Sequence, residues 1–114
     1  MYLQKIKEKF KKENENSDFI SAITLDESSF LVAFQDGNNL RYGSVVLAKI
    51  INGDIVFGDK IIFNESITMD IHAMTVNKGT FVISYKDFIE INNETIAIGT
   101  ITGDSISFYR KNIF

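Results

Sequence analysis

Phe30–Asp36 reads FLVAFQD, and Phe81–Asp87 reads FVISYKD. Each is a run of β-branched and aromatic residues closed by an aspartate, the composition of a strand leading into a turn. Phe30–Phe34 has no polar interruption, which suits a strand covered on both faces. The two segments lie 51 residues apart, and that offset lays the surrounding sequence on itself without a gap. Ile20 falls on Ile71, Ala22 on Ala73, Thr24 on Thr75, Ile50 on Ile101, Ile55 on Ile106 and Phe57 on Phe108. Lys60, Ile62 and Phe63 fall on Lys111, Ile113 and Phe114, so that residues 20–63 and 71–114 share eleven identities. The differences between them keep apolar character in place: Leu31/Val82, Val32/Ile83, Phe34/Tyr85, Val45/Ile96 and Leu47/Ile98. The chain is an internal repeat, and its period is the first constraint on its fold.

Each copy reads as four short strands. They are predicted at Ile20–Leu25, Phe30–Phe34, Ser44–Ile51 and Ile55–Phe63, and again at Ile71–Val76, Thr80–Tyr85, Thr95–Thr102 and Ser105–Phe114. Asn52-Gly53-Asp54 and Thr102-Gly103-Asp104 are hairpin signals, because Gly and Asn tolerate positive φ. The longest loops are Asp36–Gly43 and Asp87–Glu94, where the copies differ most. Residues 2–12 follow another period: Leu3, Ile6 and Phe10 are spaced i, i+3, i+7 among Lys and Glu, an amphipathic helix of about three turns. So short a helix is marginal alone in water, so its apolar stripe must dock on this chain or on a neighbour. Lys11–Asp18 is polar and reads as a linker.

A four-stranded unit of about 50 residues repeated in tandem is the pattern of a β-propeller blade. The predicted fold is therefore all-β: two four-stranded antiparallel propeller-like blades in tandem, preceded by a short N-terminal amphipathic helix. Residues 1–17 form the helix and linker, 18–66 the first blade and 67–114 the second. The motifs F-L-V-A-F-x-D, G-S-V-V and G-D-I-V-F-G, with F-V-I-S-Y-x-D and G-D-S-I-S-F in the second copy, resemble tandem β-propeller-type repeat proteins of uncharacterised microbial and phage origin. The resemblance covers about 20–114. It departs at Phe88–Asn93, where a small Gly-containing loop is usual, and at Tyr109, where Gly is. It implies a blade architecture and brings no catalytic residues.

Propellers close with four to eight blades, and repeat units of this kind need about three copies to cover their faces. Three arrangements stay open: self-assembly into a ring, a piece of a longer propeller, or a compact sandwich or barrel of eight strands. The first is similar in architecture to small two-blade lectins that trimerise into sugar-binding rings, although those use Trp, which this chain lacks. The expected partners are a homo-oligomer or other propeller blades, with carbohydrate as the candidate ligand. The N-terminal segment is a candidate latch over an open blade face.

Composition narrows the chemistry. A net charge of −3 argues against nucleic acid as partner. No segment approaches the ~20 apolar residues of a membrane span, and the start has no secretory h-region. The default compartment is cytoplasmic, with a virion component as the second reading. There is no Cys, which removes thiol chemistry, and a single His, His72, argues against a metal site or a nucleophile–base pair. No phosphate-binding or nucleophile-elbow motif occurs, so the expectation is a non-enzymatic binding or assembly module with no cofactor and no metal.

The candidate ligand surface is the two long loops, because loops on a rigid scaffold commonly carry function. Its residues are Asp36, Asn38, Asn39, Arg41 and Tyr42 in the first copy and Asp87, Glu90 and Asn92 in the second. Tyr42 and Arg41 have the chemistry to stack on or hydrogen-bond a sugar. Asp36 and Asp87 are repeat-equivalent strand-exit carboxylates, readable as turn caps or, with Glu90, as the acids of a hydrolase on the same scaffold. The remaining alternative is a structural fragment of a larger virion or surface protein.

Overall fold

The computed structural model describes residues 2–89 and 94–112, the side chains of residues 110–112 excepted. One helix, α1 (Tyr2–Glu13), precedes eight strands: β1 (Ser17–Thr24), β2 (Ser29–Asp36), β3 (Tyr42–Ile51), β4 (Asp54–Phe57), β5 (Ile61–Asn77), β6 (Thr80–Asp87), β7 (Glu94–Thr102) and β8 (Ser105–Asn112). They form an antiparallel open sheet in the order β1-β2-β3-β5-β6-β7-β8, with β4 paired to β3 alongside the start of β5. The all-β expectation holds; the sheet is not a closed ring.

The repeat period is written into the hydrogen-bond register. Phe30 pairs with Ala48 and Val32 with Val46 in the first half; Phe81 pairs with Gly99 and Ile83 with Ala97 in the second, each shifted by the same offset. β1 on β2 and the end of β5 on β6 match in the same way, including a bulge between Asp18 and Ser21 that recurs between Met69 and His72. Both bulges contain a non-glycine residue with positive φ, Phe19 at 51° and Asp70 at 50°. A left-handed residue costs about 1–2 kcal/mol, and the recurrence indicates that the same strand bend is imposed in both halves. The Asn52-Gly53 hairpin has both residues at positive φ, 51° and 83°, as the two-residue turn requires.

Two elements differ from their expected bounds. The strand expected at Ile55–Phe63 is interrupted: β4 ends at Phe57, Gly58 N–H donates to the Leu47 carbonyl at 2.8 Å, and pairing resumes at Ile61. The strand that resumes does not stop at the expected border of 66/67 but continues to Asn77 as β5, which pairs with β3 by its first part and with β6 by its last. No glycine lies between Ile61 and Asn77 to break it. The linker expected at Lys11–Asp18 shortens to Asn14–Asn16, because α1 runs on to Glu13 and β1 begins at Ser17. Lys11 stabilises this junction: its ammonium donates to the carbonyls of Glu15 (2.7 Å) and Ser17 (2.6 Å) at the helix C-terminus, where a cation is favoured.

Two apolar clusters lie on opposite faces of β2. Leu31 and Ala33 point one way, joining Val45, Phe63, Ile71, Phe81, Ile83, Tyr85 and Ala97 in a core between the two halves. Phe30, Val32 and Phe34 point the other way, joining Val46 and Ala48 beneath Ile6 and Phe10 of α1. β2 is thus buried from Phe30 to Asp36, the consequence of its unbroken apolar run. Side by side, β1 and β5 are tied by Ala73 N–H to Ser21 Oγ (3.0 Å) and by Thr75 Oγ1 to the Thr24 carbonyl (2.9 Å).

Candidate functional site

The strand-exit aspartates are turn caps in both copies. Asp36 Oδ1 accepts the backbone N–H of Asn38 at 3.0 Å, and Asp87 Oδ1 accepts that of Ile89 at 2.9 Å, two residues on in each case. The adjoining bonds recur as well: Gly37 N–H donates to the Asn16 carbonyl (2.8 Å) and Phe88 N–H to that of Ile67 (2.9 Å). Both carboxylates are buried and have further partners. Asp36 Oδ2 lies 3.1 Å from the Lys60 ammonium, which also sits over the Phe34 ring. Asp87 accepts from Ser66 Oγ (2.9 Å) and Asn64 Nδ2 (3.1 Å).

The second aspartate belongs to a buried polar network that fixes β5 where it passes from one half to the other. Asn64 Nδ2 also donates to Thr68 Oγ1 (2.9 Å), Thr68 Oγ1 to the Ser66 carbonyl (2.8 Å), and Gln35 Nε2 to the Thr68 carbonyl (2.9 Å). Loss of Asp87 removes the acceptor of Ser66 Oγ, of the Ile89 N–H and of a buried Asn64 Nδ2 bond. Asp87→Ala is therefore expected to lower stability by about 2–3 kcal/mol in urea unfolding. Asp36→Ala, which loses a turn bond and a half-exposed ion pair, should lower it by about 1 kcal/mol. Equal losses would show that the network around Asp87 contributes nothing.

The other loop candidates divide. Asn38 Oδ1 accepts from Asn16 Nδ2 at 2.8 Å, linking the loop to the α1–β1 connection, and the N–H of Asn39 donates to the Asp36 carbonyl at 3.0 Å within the turn. Arg41 is held in the left-handed region, φ 62°, its carbonyl accepting from Thr68 N–H at 3.1 Å while its side chain faces solvent. Tyr42 opens β3 and is half-buried. Glu90 and Asn92 lie outside the described residues. His72 is an exposed β5 residue. Among the described residues, no group of three or more His, Cys, Asp or Glu is placed to hold a metal ion. Nor is any helix long and apolar enough to cross a membrane.

Two surface carboxyls have perturbed acidity. The Ser28 N–H donating to Asp26 Oδ1 at 2.9 Å holds that carboxyl below its ordinary value. The Lys49 ammonium, 2.7 Å from Asp104, does the same for Asp104 while linking β3 to the β7–β8 turn. A carboxyl depressed on folding adds stability above its unfolded pKa and loses it as pH falls through the folded value. Stability is accordingly expected to decline below about pH 4, and Asp104→Asn should flatten this decline slightly, because the pair is exposed. Denaturant midpoints along an acid series measure the effect.

Sequence reasoning did not single out the residues of an unpartnered apolar row on the second half. In the first half, Ile23, Leu31 and Leu47 share a sheet row and pack into the core between the halves. Their equivalents in the second half are Met74, Val82 and Ile98, which pair in one row and continue to Tyr109 on β8. No described element covers that row. At the edges of the row Met74 is 62% and Tyr109 65% exposed, and Val82 and Ile98 between them are half-buried, whereas Leu31 is wholly buried. The 51-residue offset is the signal that could have found them, since it maps a buried row onto this one.

No family model, no curated protein and no solved structure matches the chain.

Proposed function

We propose that the chain is a non-enzymatic assembly module made of two propeller-type blades, and that it binds its partner through the uncovered face of the second. The row Met74–Val82–Ile98–Tyr109 carries this reading: it crosses four strands, is apolar throughout, and repeats a row that the first half buries. Exposed contiguous apolar surface on a sheet marks an interaction site. A stacking role is also supported by the order of faces. The Leu31 face of the first half meets the Phe81 face of the second, a head-to-tail contact of the kind by which blades and repeats stack. The catalytic alternative has less support, because Asp36 and Asp87 are each engaged by their own turns and neighbours.

Size-exclusion chromatography with light scattering tests the proposal. The expected result is a mass above the 12.9 kDa of one chain, reduced to that of one chain by Ile98→Glu with an unchanged β circular-dichroism spectrum. A chain that is monomeric at every concentration would remove the assembly reading.

A further inference from the structure

We infer that the occupant of the uncovered face is the same face of a second copy, in a symmetric back-to-back dimer. This rests on the assembly reading and adds the identity and orientation of the partner. Each half has two unlike faces. One carries Phe30, Val32 and Phe34 in the first half and Phe81, Ile83 and Tyr85 in the second. The other carries Leu31 and Leu47 in the first and Val82 and Ile98 in the second. Within the chain, unlike faces meet.

Continuing that pattern into a neighbouring molecule would require its Phe30 face. In this structure that face is closed: α1 lies on it, with Ile6 wholly buried and Phe10 at 1% exposure. Head-to-tail growth is blocked at that end by the chain's own helix. The face that remains is Met74, Val82, Ile98 and Tyr109, and the partner surface of this kind that another copy offers is its own equivalent row. Pairing like with like gives a closed twofold assembly, the commonest symmetry of soluble oligomers. Four stacked half-sheets would result, with an α1 helix closing each outer end.

Charge on the face fits self-pairing. The Met74–Val82–Ile98–Tyr109 row holds no charged side chain, while the adjoining Ser84–Ile96 row continues in register to His72 on β5 and Lys111 on β8. The paired charges lie at one end, where Lys86 pairs in register with Glu94 and lies 3.8 Å from Asp70. A twofold axis in the interface plane through the centre therefore brings together neutral residues, whereas like charges there would repel.

A single introduced cysteine reads the orientation, because the chain has none of its own. Packed sheets lie about 10 Å apart, so Ile98→Cys in the back-to-back dimer is within about 10 Å of its mate. In a head-to-tail stack, successive copies are offset by two layers, and the mates are about 20 Å apart. The expected result is efficient self-linking of Ile98→Cys by a short bis-maleimide, with a wild-type mass of twice 12.9 kDa. Met74→Glu and Tyr109→Arg, both at exposed positions, should return folded monomer. If Ile98→Glu disperses an assembly in which Ile98→Cys does not self-link, the face is an interface but the symmetric pairing is overturned. A wild-type monomer at all concentrations overturns both this inference and the assembly reading.

Discussion

A Phe10→Asp chain is expected to release α1 and to associate end to end into species larger than a dimer. Phe10 is 1% exposed and packs on Phe34, ring centroids 4.6 Å apart, and edge-on to Phe57 at 5.5 Å. A carboxylate cannot remain there ionised, since nothing in the Ile6–Val32–Phe34–Val46 cluster hydrogen-bonds it. α1 has twelve residues, too few to persist as an isolated helix. Its loss removes about 3–5 kcal/mol of packing, the range for deleting a buried Phe, and uncovers the Phe30–Val32–Phe34 face. Each chain would then offer both unlike faces that meet in its interior, so that head-to-tail contact competes with the back-to-back pairing. Heterologous contacts of this type make rings where the angle closes and filaments where it does not. Light scattering across a concentration series should show a mass that grows with concentration, together with a loss of helical circular dichroism. A Phe10→Asp chain with wild-type mass and wild-type urea midpoint would show that α1 is not a cap.

The second large effect is expected from one methyl group. Gly99→Ala should destabilise the fold by about 3 kcal/mol, a fall in Tm on the order of 10 °C. A Cβ on Gly99 would lie 2.1 Å from Phe81 Cζ and 2.6 Å from both Cε atoms. The ring cannot retreat easily: Phe81 is wholly buried and edge-packed on Phe108 at 5.8 Å. The first half has an alanine at this register, Ala48 opposite Phe30. There the ring faces a helix and tilts toward Tyr2 at 6.3 Å, a cover that yields more than a sheet does. Phe81→Leu in the Gly99→Ala background should recover part of the loss. The coupling in a double-mutant cycle measures the contact. A single-variant cost under about 1 kcal/mol would mean that the two halves are not packed this closely.

The architecture was legible where it depends on local rules. Phe30–Phe34, continuously apolar, becomes the doubly buried β2; Leu3, Ile6 and Phe10, at helical spacing, become the docked stripe of α1; Asn52-Gly53 becomes a left-handed turn. The aspartate at the end of FLVAFQD and FVISYKD caps a turn in both copies, as one of its two sequence readings had it. The candidate ligand loops were less legible. Asn38 and Asn39 have the composition of a binding loop, but Asn38 Oδ1 accepts from Asn16 and the Asn39 backbone closes the turn.

What the sequence determined alone is the period, the strand content and the alternation of faces, because a strand's side-chain direction follows from position within two residues and a repeat copies it. What only the tertiary structure decided is which faces are covered. Ile23, Leu31 and Leu47 resemble Met74, Val82 and Ile98 in every local property, yet the first set is packed against the second half and the second is left open. The continuity of β5 and the seat of α1 on the Phe30 face make that difference. Burial depends on which element arrives next along the stack, and residues with the same local pattern carry no record of that.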